Sequence, residues 1–194
     1  MPYKFSRNPV KTFFMVFVLG LIGTGLWFSY QWYQSQYLRA FLDQEALFDG
    51  SQLQLPAALQ GQGPIRMVHF WDPACPCNVG NQQHLAELMQ HYDDEQVQFY
   101  VVQKPGSKGK LPEPLAKLVP LQELRGAESL PASPAVAIWD TQGELAYVGP
   151  YSEGAVCNAD NSFIEPILNA LLNHRSVRAS NSLAVGCFCD WQTE

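Results

Sequence analysis

Cysteine is the residue type most able to do chemistry in this chain of 194 residues, which contains five of them. Four of the five form two pairs with a one-residue spacing, "CPC" at residues 75–77 and "CFC" at residues 187–189. Paired thiols can exchange disulfides, and several thiolates together can bind a soft metal ion. The fifth cysteine is Cys157. Because five is odd, at least one thiol must be free, bonded to another molecule or bound to a metal.

Cys75 is the candidate attacking thiol. It precedes a predicted helix whose apolar side chains recur at helical spacing, namely Leu85, Leu88, Met89 and Tyr92. The unpaired N–H groups and the dipole at the start of a helix stabilise a thiolate. Asp72 lies close in sequence and would oppose this effect by like-charge repulsion.

An exchange cysteine also needs a resolving partner, and Cys77 is the nearest candidate. In extended chain, Cα atoms two residues apart are roughly 6.5–7 Å from each other, at the edge of what a disulfide accepts, although a turn would shorten this. In an extended tail, Cys187 and Cys189 would project from one face. They are predicted to be a second redox pair, partners in static disulfides, or metal ligands. Cys157 is the candidate odd thiol, either buried or bonded to Cys77.

A metal site is the alternative to redox chemistry. The four paired cysteines could together surround zinc or copper(I), since soft thiolates favour these ions, and they are Cys75, Cys77, Cys187 and Cys189. Cysteine pairs in structural zinc sites are usually separated by two to four residues. The spacing therefore argues against a zinc site, and we expect neither a metal nor a cofactor.

The sequence around the cysteines predicts an alternating α/β domain. Strands are predicted at "IRMVHFW", "QVQFYVVQ", "AVAIWD" and "ELAYVGPY", and helices after Cys75, at "LAKLVPLQEL" and after Ser162, where Ser162 and Glu165 have capping-box spacing. "DTQG" is a hairpin signal between the last two strands. A helical crossover makes the first two strands parallel, and the hairpin makes the last two antiparallel. The order predicts a mixed four-stranded sheet flanked by helices.

Two motifs at the right places in this order resemble the thioredoxin superfamily. "MVHFWDPAC" resembles its approach to the active site, with Trp71 four residues before the first cysteine, and "SPAVAIWD" resembles its cis-proline loop, with Pro134 facing the active-site sulfur. The resemblance covers about residues 65–173 and is closest to membrane-tethered bacterial thiol–disulfide oxidoreductases. The family's usual motif is Cys-x-x-Cys, whereas here Asn78 occupies the position of the second cysteine.

The resemblance also assigns a candidate role to His69. It stands where related thioredoxins place a buried acid that handles the proton of the second cysteine. An imidazole titrates near neutral pH and could do this work. A histidine that is only part of the core is the other interpretation. The metal alternative resembles the thioredoxin-like copper chaperones, but these use Cys-x-x-x-Cys and a distant histidine, which His174 matches poorly.

An uncharged apolar segment at residues 13–30 predicts a membrane anchor. As a helix it would span roughly 27 Å, close to the hydrocarbon thickness of a bilayer. Bulky aromatic residues at its exit favour an uncleaved anchor over a cleaved signal peptide. Lys4, Arg7 and Lys11 precede the segment, whereas Arg39 alone follows it closely, so the positive-inside rule places the domain outside the cytoplasm.

The predicted organisation is therefore a cytoplasmic N-terminus, anchor and stalk at residues 1–48, followed by a thioredoxin-like domain with a cysteine-containing tail at residues 49–194. From Gln31 to about Phe48 the apolar spacing predicts a helical stalk or, equally, a helix docked on the domain. The chain has 12 basic and 18 acidic residues, and residues 1–40 contain four of the basic ones and no acid. The remainder has a net charge of about −10, which disfavours nucleic acid as a partner.

We accordingly expect an inner-membrane protein whose periplasmic domain exchanges disulfides with protein thiols. Cys75 is the predicted nucleophile, Cys77 the resolver, Pro134 part of the substrate groove and His69 a candidate proton carrier. A metal-binding or metal-delivery module and a redox-inert assembly module are the alternatives, because one fold hosts many functions. The sequence leaves the substrate, the direction of electron flow, the disulfide pairing and the oligomeric state open.

Overall fold

A computed structural model describes residues 9–41, 50–180 and 184–192. The chain forms two compact units, Met1–Gln36 and Tyr37–Glu194. The first unit contains helix α1, which spans Pro9–Tyr37 and ends one residue beyond the unit. Its mean hydropathy reaches 1.8 and none of its residues is buried, so by length and composition it could cross a membrane. Such a helix fits a single-pass anchor.

The predicted helical stalk extends only to Tyr37 in the part of the chain that the structure describes. Helix α1 ends at Tyr37, and Leu38–Ala40 form a short strand, β1, within the second unit. The backbone N–H of Phe41 donates to Ala184 O at 2.9 Å, and its ring is buried. The chain turns into sheet here because the C-terminal tail supplies a partner strand. Residues 42–49 of the predicted stalk and the positive residues Lys4 and Arg7 lie outside the described residues.

Nine further strands and two further helices build the second unit. The strands are β2 (Ile65–Trp71), β3 (Val97–Gln103), β4 (Val119–Pro120), β5 (Ala132–Ser133), β6 (Ala135–Trp139), β7 (Leu145–Gly149), β8 (Ala179–Ser180), β9 (Val185–Cys187) and β10 (Cys189–Asp190). The helices are α2 (Val79–His91) and α3 (Ile164–Leu172). The counts refer to the part of the chain that the structure describes.

The main sheet has the order β4-β3-β2-β6-β7-β8. Strand β2 runs parallel to β3 and antiparallel to β6, and β6 and β7 form an antiparallel pair. The turn between them is closed by Gly143 N, which donates to Asp140 O at 3.0 Å. The four predicted strands and their directions are therefore confirmed, and two two-residue strands extend the sheet at its edges. This is the thioredoxin-like fold.

Helices α2 and α3 cover one face of the sheet. The predicted stripe of α2 is confirmed, since Leu85, Leu88 and Tyr92 are buried. Helix α3 begins after Ser162, whose Oγ accepts from the backbone N–H of Ile164 at 3.1 Å. Alternate residues of β2 point into this helical face, and the others point to the opposite face, so the whole strand is buried.

The opposite face lacks a long helix among the described residues. The helix predicted at residues 115–124 was wrong, because only a 3-10 turn at Glu113–Leu115 and strand β4 occupy this stretch. Pro120 has no N–H for a helix interior, and Val119 pairs instead with Tyr100 of β3. Side chains from loops and from the C-terminal tail, including Phe188 and Trp191, cover this face.

Candidate functional site

The "CPC" segment lies between the central strand β2 and helix α2. After Trp71 the chain turns at Asp72, whose Oδ1 accepts from Ala74 N at 2.9 Å and whose backbone O accepts from Cys75 N at 3.0 Å. Cys75 then caps a 3-10 turn, Pro76–Asn78, which leads directly into α2. The fold therefore puts Cys75 at the start of a helical segment, as the sequence predicts.

The side chain of Asn78 stabilises this turn. Its side-chain Nδ2 donates to Asp72 O at 2.6 Å, and only 4% of Asn78 is exposed. The position that holds a second cysteine in the resembling family thus has a structural role here. The disulfide partners of Cys75 and Cys77 come from elsewhere in the chain.

The C-terminal tail supplies those partners through two disulfides. Cys75 is bonded to Cys189 and Cys77 is bonded to Cys187, with Cα–Cα distances of 5.9 and 5.4 Å. The pairing expected within the motif, Cys75 with Cys77, is therefore not the one that the structure contains. Three of the four residues are buried, whereas Cys189 is partly exposed.

Backbone pairing holds the tail on both sides of Phe188. Strand β9 runs antiparallel to β1, where Cys187 lies opposite Leu38. Strand β10 runs antiparallel to β5, where Cys189 lies opposite Ser133. The backbone N–H of Phe188, between the two strands, donates to Tyr37 O at 2.9 Å.

Pro134 lies beside the first disulfide. The Ser133–Pro134 peptide bond is cis, as the resemblance implies. The Sγ of Cys75 is 3.7 Å from the backbone O of Ser133, and Ser133 is also the residue that pairs with Cys189. The structure therefore brings Cys75, Cys189 and the cis-proline loop together.

A lysine connects the motif to the tail. Lys104 Nζ lies 3.2 Å from Asp72 Oδ2 and donates to the backbone O of Asp190 at 2.8 Å. Asp190 also forms an ion pair with Arg39 at 2.7 Å. The positive charge of Lys104 offsets the like-charge repulsion that Asp72 would exert on a thiolate at Cys75.

His69 is buried on the helical side of β2. Its Nδ1 lies 2.8 Å from the hydroxyl of Tyr151, so the described hydrogen-bond partner is a tyrosine and not a cysteine. Burial lowers the pKa of His69 to about 4, although a backbone hydrogen bond with Ala135 raises it in part. The ring is therefore neutral at neutral pH, and its role as a proton carrier stays a prediction.

Cys157 is the free cysteine among the five, all of which lie in the described residues. It is buried beneath α2, where its backbone N–H donates to Gly80 O at 2.8 Å. Burial raises the pKa of its thiol to about 11, although hydrogen bonds with Ser152 and Ser162 oppose this in part. A thiol so hard to ionise is a poor nucleophile.

The same site contains a possible donor set for a metal. The Sγ atoms of Cys75, Cys77 and Cys189 all lie within 4.8 Å of one another. Soft thiolates at such distances suit zinc or copper(I) once the disulfides are reduced. As disulfides, the same sulfurs are not thiolate ligands.

The sequence-based predictions give no role in the site to three residues that the structure places there. Arg39 follows the apolar segment, Lys104 lies at the end of β3, and Asn78 replaces an expected cysteine. Lys104 carries the one usable signal, since a cation just after a predicted strand next to β2 would lie at the same sheet edge as the motif. The partner of Arg39 depends on the path of the tail, which no local pattern predicts.

Solved structures with a similar fold include two uncharacterised proteins and one isomerase. A hypothetical protein from Sinorhizobium meliloti 1021 is 15% identical, with a TM-score of 0.51 over 68% of this chain and 81% of that one. An uncharacterised conserved protein from Geobacillus kaustophilus is 18% identical, with a TM-score of 0.49 over 82% and 88% of the two chains. A thiol–disulfide isomerase from Corynebacterium glutamicum is 14% identical, with a TM-score of 0.41 over 74% and 95%.

At such identities, a likeness concerns the fold alone. No curated protein matches the chain. The family model described as a domain of unknown function, DUF6436, matches residues 44–191, which include all five cysteines, both motif segments and most of the tail. The chain therefore belongs to the DUF6436 family.

Proposed function

We propose that this protein exchanges disulfides with protein thiols through the Cys75–Cys189 bond. The observation that carries the proposal is the position of this bond. It joins the start of a helical segment to a partly exposed tail residue, beside the cis-proline loop. A thiolate at Cys75 would be stabilised by the helical N–H groups and by the nearby charge of Lys104.

The exchange step follows from these surroundings. A substrate thiolate attacks Cys189 Sγ, the more accessible sulfur, and forms a mixed disulfide with the tail. The Cys75–Cys189 bond breaks, and its electron pair stays on Cys75 as a thiolate. Leaving thiolates of lower pKa depart faster, so the helical position of Cys75 favours this direction of attack. When Cys75 and Cys189 are reduced, the Cys75 thiolate instead attacks a substrate disulfide, a Cys75–substrate disulfide forms and one substrate thiolate leaves. Cys189 then attacks Cys75 Sγ, which re-forms the Cys75–Cys189 bond and releases the second substrate thiolate.

The second disulfide would serve as the holding bond during exchange. Cys77 and Cys187 are 2% and 4% exposed, so an external thiol reaches them less readily. Their bond keeps the tail within reach of Cys75 after the first bond opens. Cys77 would then act as an anchor for the tail, in place of the resolver that the sequence analysis predicts.

Anchoring and orientation complete the proposal. Helix α1 would hold the protein in the inner membrane, with the thioredoxin-like domain in the periplasm. The support is the basic residues before the apolar segment, together with four cysteines in disulfides, which persist in oxidising compartments. Protein thiols of that compartment would be the substrates.

Two single substitutions test the exchange function in the full chain in detergent. Cys189→Ser leaves Cys75 without its partner, and Cys187→Ser leaves Cys77 without its partner. Ribonuclease with scrambled disulfides serves as the probe. We expect the Cys189→Ser variant to accumulate mixed disulfides at Cys75, identified by peptide mass, and the Cys187→Ser variant to accumulate few.

The two variants control for each other, because each removes one tail thiol and one disulfide. Adducts at Cys77 as frequent as those at Cys75 would contradict the assigned roles. If neither variant forms adducts, disulfide exchange with proteins is not the function of this site.

Metal binding is the second candidate, and the short distances among Cys75, Cys77 and Cys189 favour it. The test uses full chain that has been reduced and purified without oxygen, with zinc and copper(I) added separately. One tightly held ion per chain, lost in the Cys187→Ser/Cys189→Ser variant, would support this candidate. Without such binding, the four thiols serve redox chemistry alone.

A further inference from the structure

The C-terminal tail is seated at the redox site as a separate polypeptide would be. Strand β10 is the strand that pairs with β5 in the described part of the chain, and it pairs immediately before Pro134. One of its residues, Cys189, is covalently bonded to Cys75. An extended segment with a cysteine linked to Cys75 is also what a mixed disulfide with a substrate would look like.

We propose that the tail is a built-in pseudo-substrate, and that a partner must present an extended segment of the same pattern to replace it. This inference rests on the proposed exchange function, in the direction in which Cys75 attacks a substrate disulfide, and specifies the substrate class of that step. The pattern is aromatic, cysteine, acidic, aromatic, as in Phe188, Cys189, Asp190 and Trp191. Recognition by strand addition gives backbone hydrogen bonds, and side-chain pockets give the choice of sequence.

The aromatic positions of the pattern fill apolar sites on the face of the sheet that lacks a long helix. Trp191 is 2% exposed, and its ring packs against the Phe70 ring in a T-shaped arrangement at a centroid distance of 5.6 Å. Phe188 is 4% exposed and packs against Phe41 at 5.3 Å. Two aromatic side chains so deeply buried contribute most of the contact that a short strand can make.

The apolar site that holds Trp191 favours a large aromatic ring and does not require a polar group. The indole Nε1 of Trp191 is buried and has no hydrogen-bond partner among the described residues. A phenylalanine at this position would therefore keep the apolar contact with Phe70 without losing a hydrogen bond. An alanine would leave the apolar site empty.

The acidic position of the pattern meets two cations. Asp190 pairs with Arg39 through its carboxylate, and its backbone O accepts from Lys104. Any residue at this position can supply the backbone oxygen, but only an acid can pair with Arg39. Since the carboxylate of Asp190 is largely exposed, the acid adds a smaller preference than the aromatic residues do.

The test measures how fast Cys75 accepts the tail sequence from a separate peptide. The protein is the full chain in detergent with Cys77→Ser, Cys187→Ser and Cys189→Ser, which leaves Cys75 and the buried Cys157. The peptide spans residues 184–192 with serine at position 187, and its Cys189 is activated as a mixed disulfide with thionitrobenzoate. The Cys75 thiolate attacks the peptide sulfur, a Cys75–peptide disulfide forms, and coloured thionitrobenzoate leaves with the electron pair.

We expect a graded response to changes in the peptide. Trp191→Phe should react within about twofold of the natural sequence, whereas Trp191→Ala should react at least about tenfold more slowly, because burial of a large apolar side chain is lost. Asp190→Lys should react about threefold more slowly. A peptide of the same composition, in which all residues except the cysteine are shuffled, should react as slowly as the Trp191→Ala peptide.

Equal rates for the natural, shuffled and Trp191→Ala peptides would overturn the pseudo-substrate assignment. Oxidised glutathione, tested on the same variant, separates this failure from a failure of the exchange function. If the variant reacts with glutathione but shows no preference among the peptides, only the pseudo-substrate inference is wrong. If it reacts with neither glutathione nor the peptides, the exchange function is wrong as well. If the triple variant does not fold, the same series is run on Cys189→Ser, with mass spectrometry of the Cys75 adduct as the measure.

Discussion

The two disulfides join the same two segments of the chain but lie in different surroundings. The Cys75–Cys189 bond lies between a helical start and strand β10, next to the cis-proline loop, and Cys189 is partly exposed. The Cys77–Cys187 bond is buried where β9 pairs with β1. We call Cys75–Cys189 the outer bond and Cys77–Cys187 the inner bond. We propose that the outer bond opens to partners, whereas the inner bond keeps the tail in place.

The backbone around the inner bond supports this division. Gly186, next to Cys187, lies so close to Gly154 that a Cβ atom on it would be 2.7 Å from the Gly154 carbonyl oxygen. The backbone N–H of Gly154 donates to Val185 O at 2.8 Å. A glycine is needed here because any larger residue would separate the two segments. The backbone next to Cys187 is therefore in direct contact with a neighbouring segment of the chain.

Loop entropy explains how one bond can open at little cost. The sequence separations of the two disulfides are 114 and 110 residues, so either one alone closes a long loop, which stabilises a protein by about 5 kcal/mol. Once one bond exists, the second closes a ring of only about six residues, which adds about 2 kcal/mol. Opening the outer bond during exchange thus leaves most of the stabilisation in place.

We expect strongly non-additive effects of the cysteine substitutions on the free energy of unfolding, and these are the largest effects. Replacing Cys75 and Cys189 with alanine should cost about 2 kcal/mol, and replacing Cys77 and Cys187 should cost about the same. Replacing all four should cost about 7 kcal/mol. Denaturant unfolding of the full chain in detergent, followed by tryptophan fluorescence, measures all three variants.

Additive losses in the free energy of unfolding would contradict this expectation, because they would mean that each disulfide stabilises the chain independently. Cys157→Ala serves as the control, because it removes a buried thiol without opening a disulfide.

Acid should weaken the fold without changing the difference between the disulfides. Burial lowers the folded-state pKa of His69 to about 4, below its ordinary value of 6.5. The unfolded chain therefore binds more protons between these two values, and stability falls as the pH drops through this window. The loss between pH 7.5 and pH 4 should be about 3 kcal/mol from this residue.

Unfolding of wild type, His69→Phe and His174→Asn at the two pH values measures this contribution. The His69→Phe variant should lose less stability on acidification, whereas His174→Asn, which changes an exposed histidine, should behave as wild type does. If His69→Phe changes the relative opening rates of the two disulfides at neutral pH, the ring acts on the sulfurs after all.

The smallest predicted effect concerns Lys104 and the outer site alone. Lys104→Gln removes the cation beside Asp72, so the negative charge of Asp72 then disfavours a thiolate at Cys75. In a Cys189→Ser background, alkylation of Cys75 at neutral pH should slow about threefold. Lys110→Gln, which changes an exposed lysine of the same loop, should leave the rate unchanged.

Cys77 provides the comparison within the same experiment. In a Cys187→Ser background, Lys104→Gln should leave the alkylation rate of Cys77 unchanged. A similar slowing at both cysteines would mean that Lys104 acts on the whole site and does not distinguish the outer bond.

Local patterns were enough to predict the central sheet and the start of the site. Strand β2, the stripe of α2 and the Asp140 turn each depend on residues close in sequence, and their order fixes the strand directions. Local patterns gave a wrong prediction for residues 115–124. Their apolar spacing fits a helix, but Pro120 disfavours a helix interior and Val119 pairs with β3 as part of a strand.

The disulfide pairing could not be predicted in the same way. Two pairs with equal spacing allow several connections, and the observed one depends on contacts more than a hundred residues apart. Strand β1 likewise forms because β9 lies beside it. The sequence of residues 38–40 alone does not predict this pairing.

The order in which the two disulfides open is the sharpest test of their different roles. Full-length protein, purified without reductant, is treated with limiting dithiothreitol, alkylated rapidly at successive times and mapped by mass spectrometry. We predict that Cys75 and Cys189 become labelled at least about tenfold faster than Cys77 and Cys187, because the outer bond is more accessible and has the better leaving thiolate. Faster labelling of Cys77 and Cys187, or an initial bond between Cys75 and Cys77, would contradict the account.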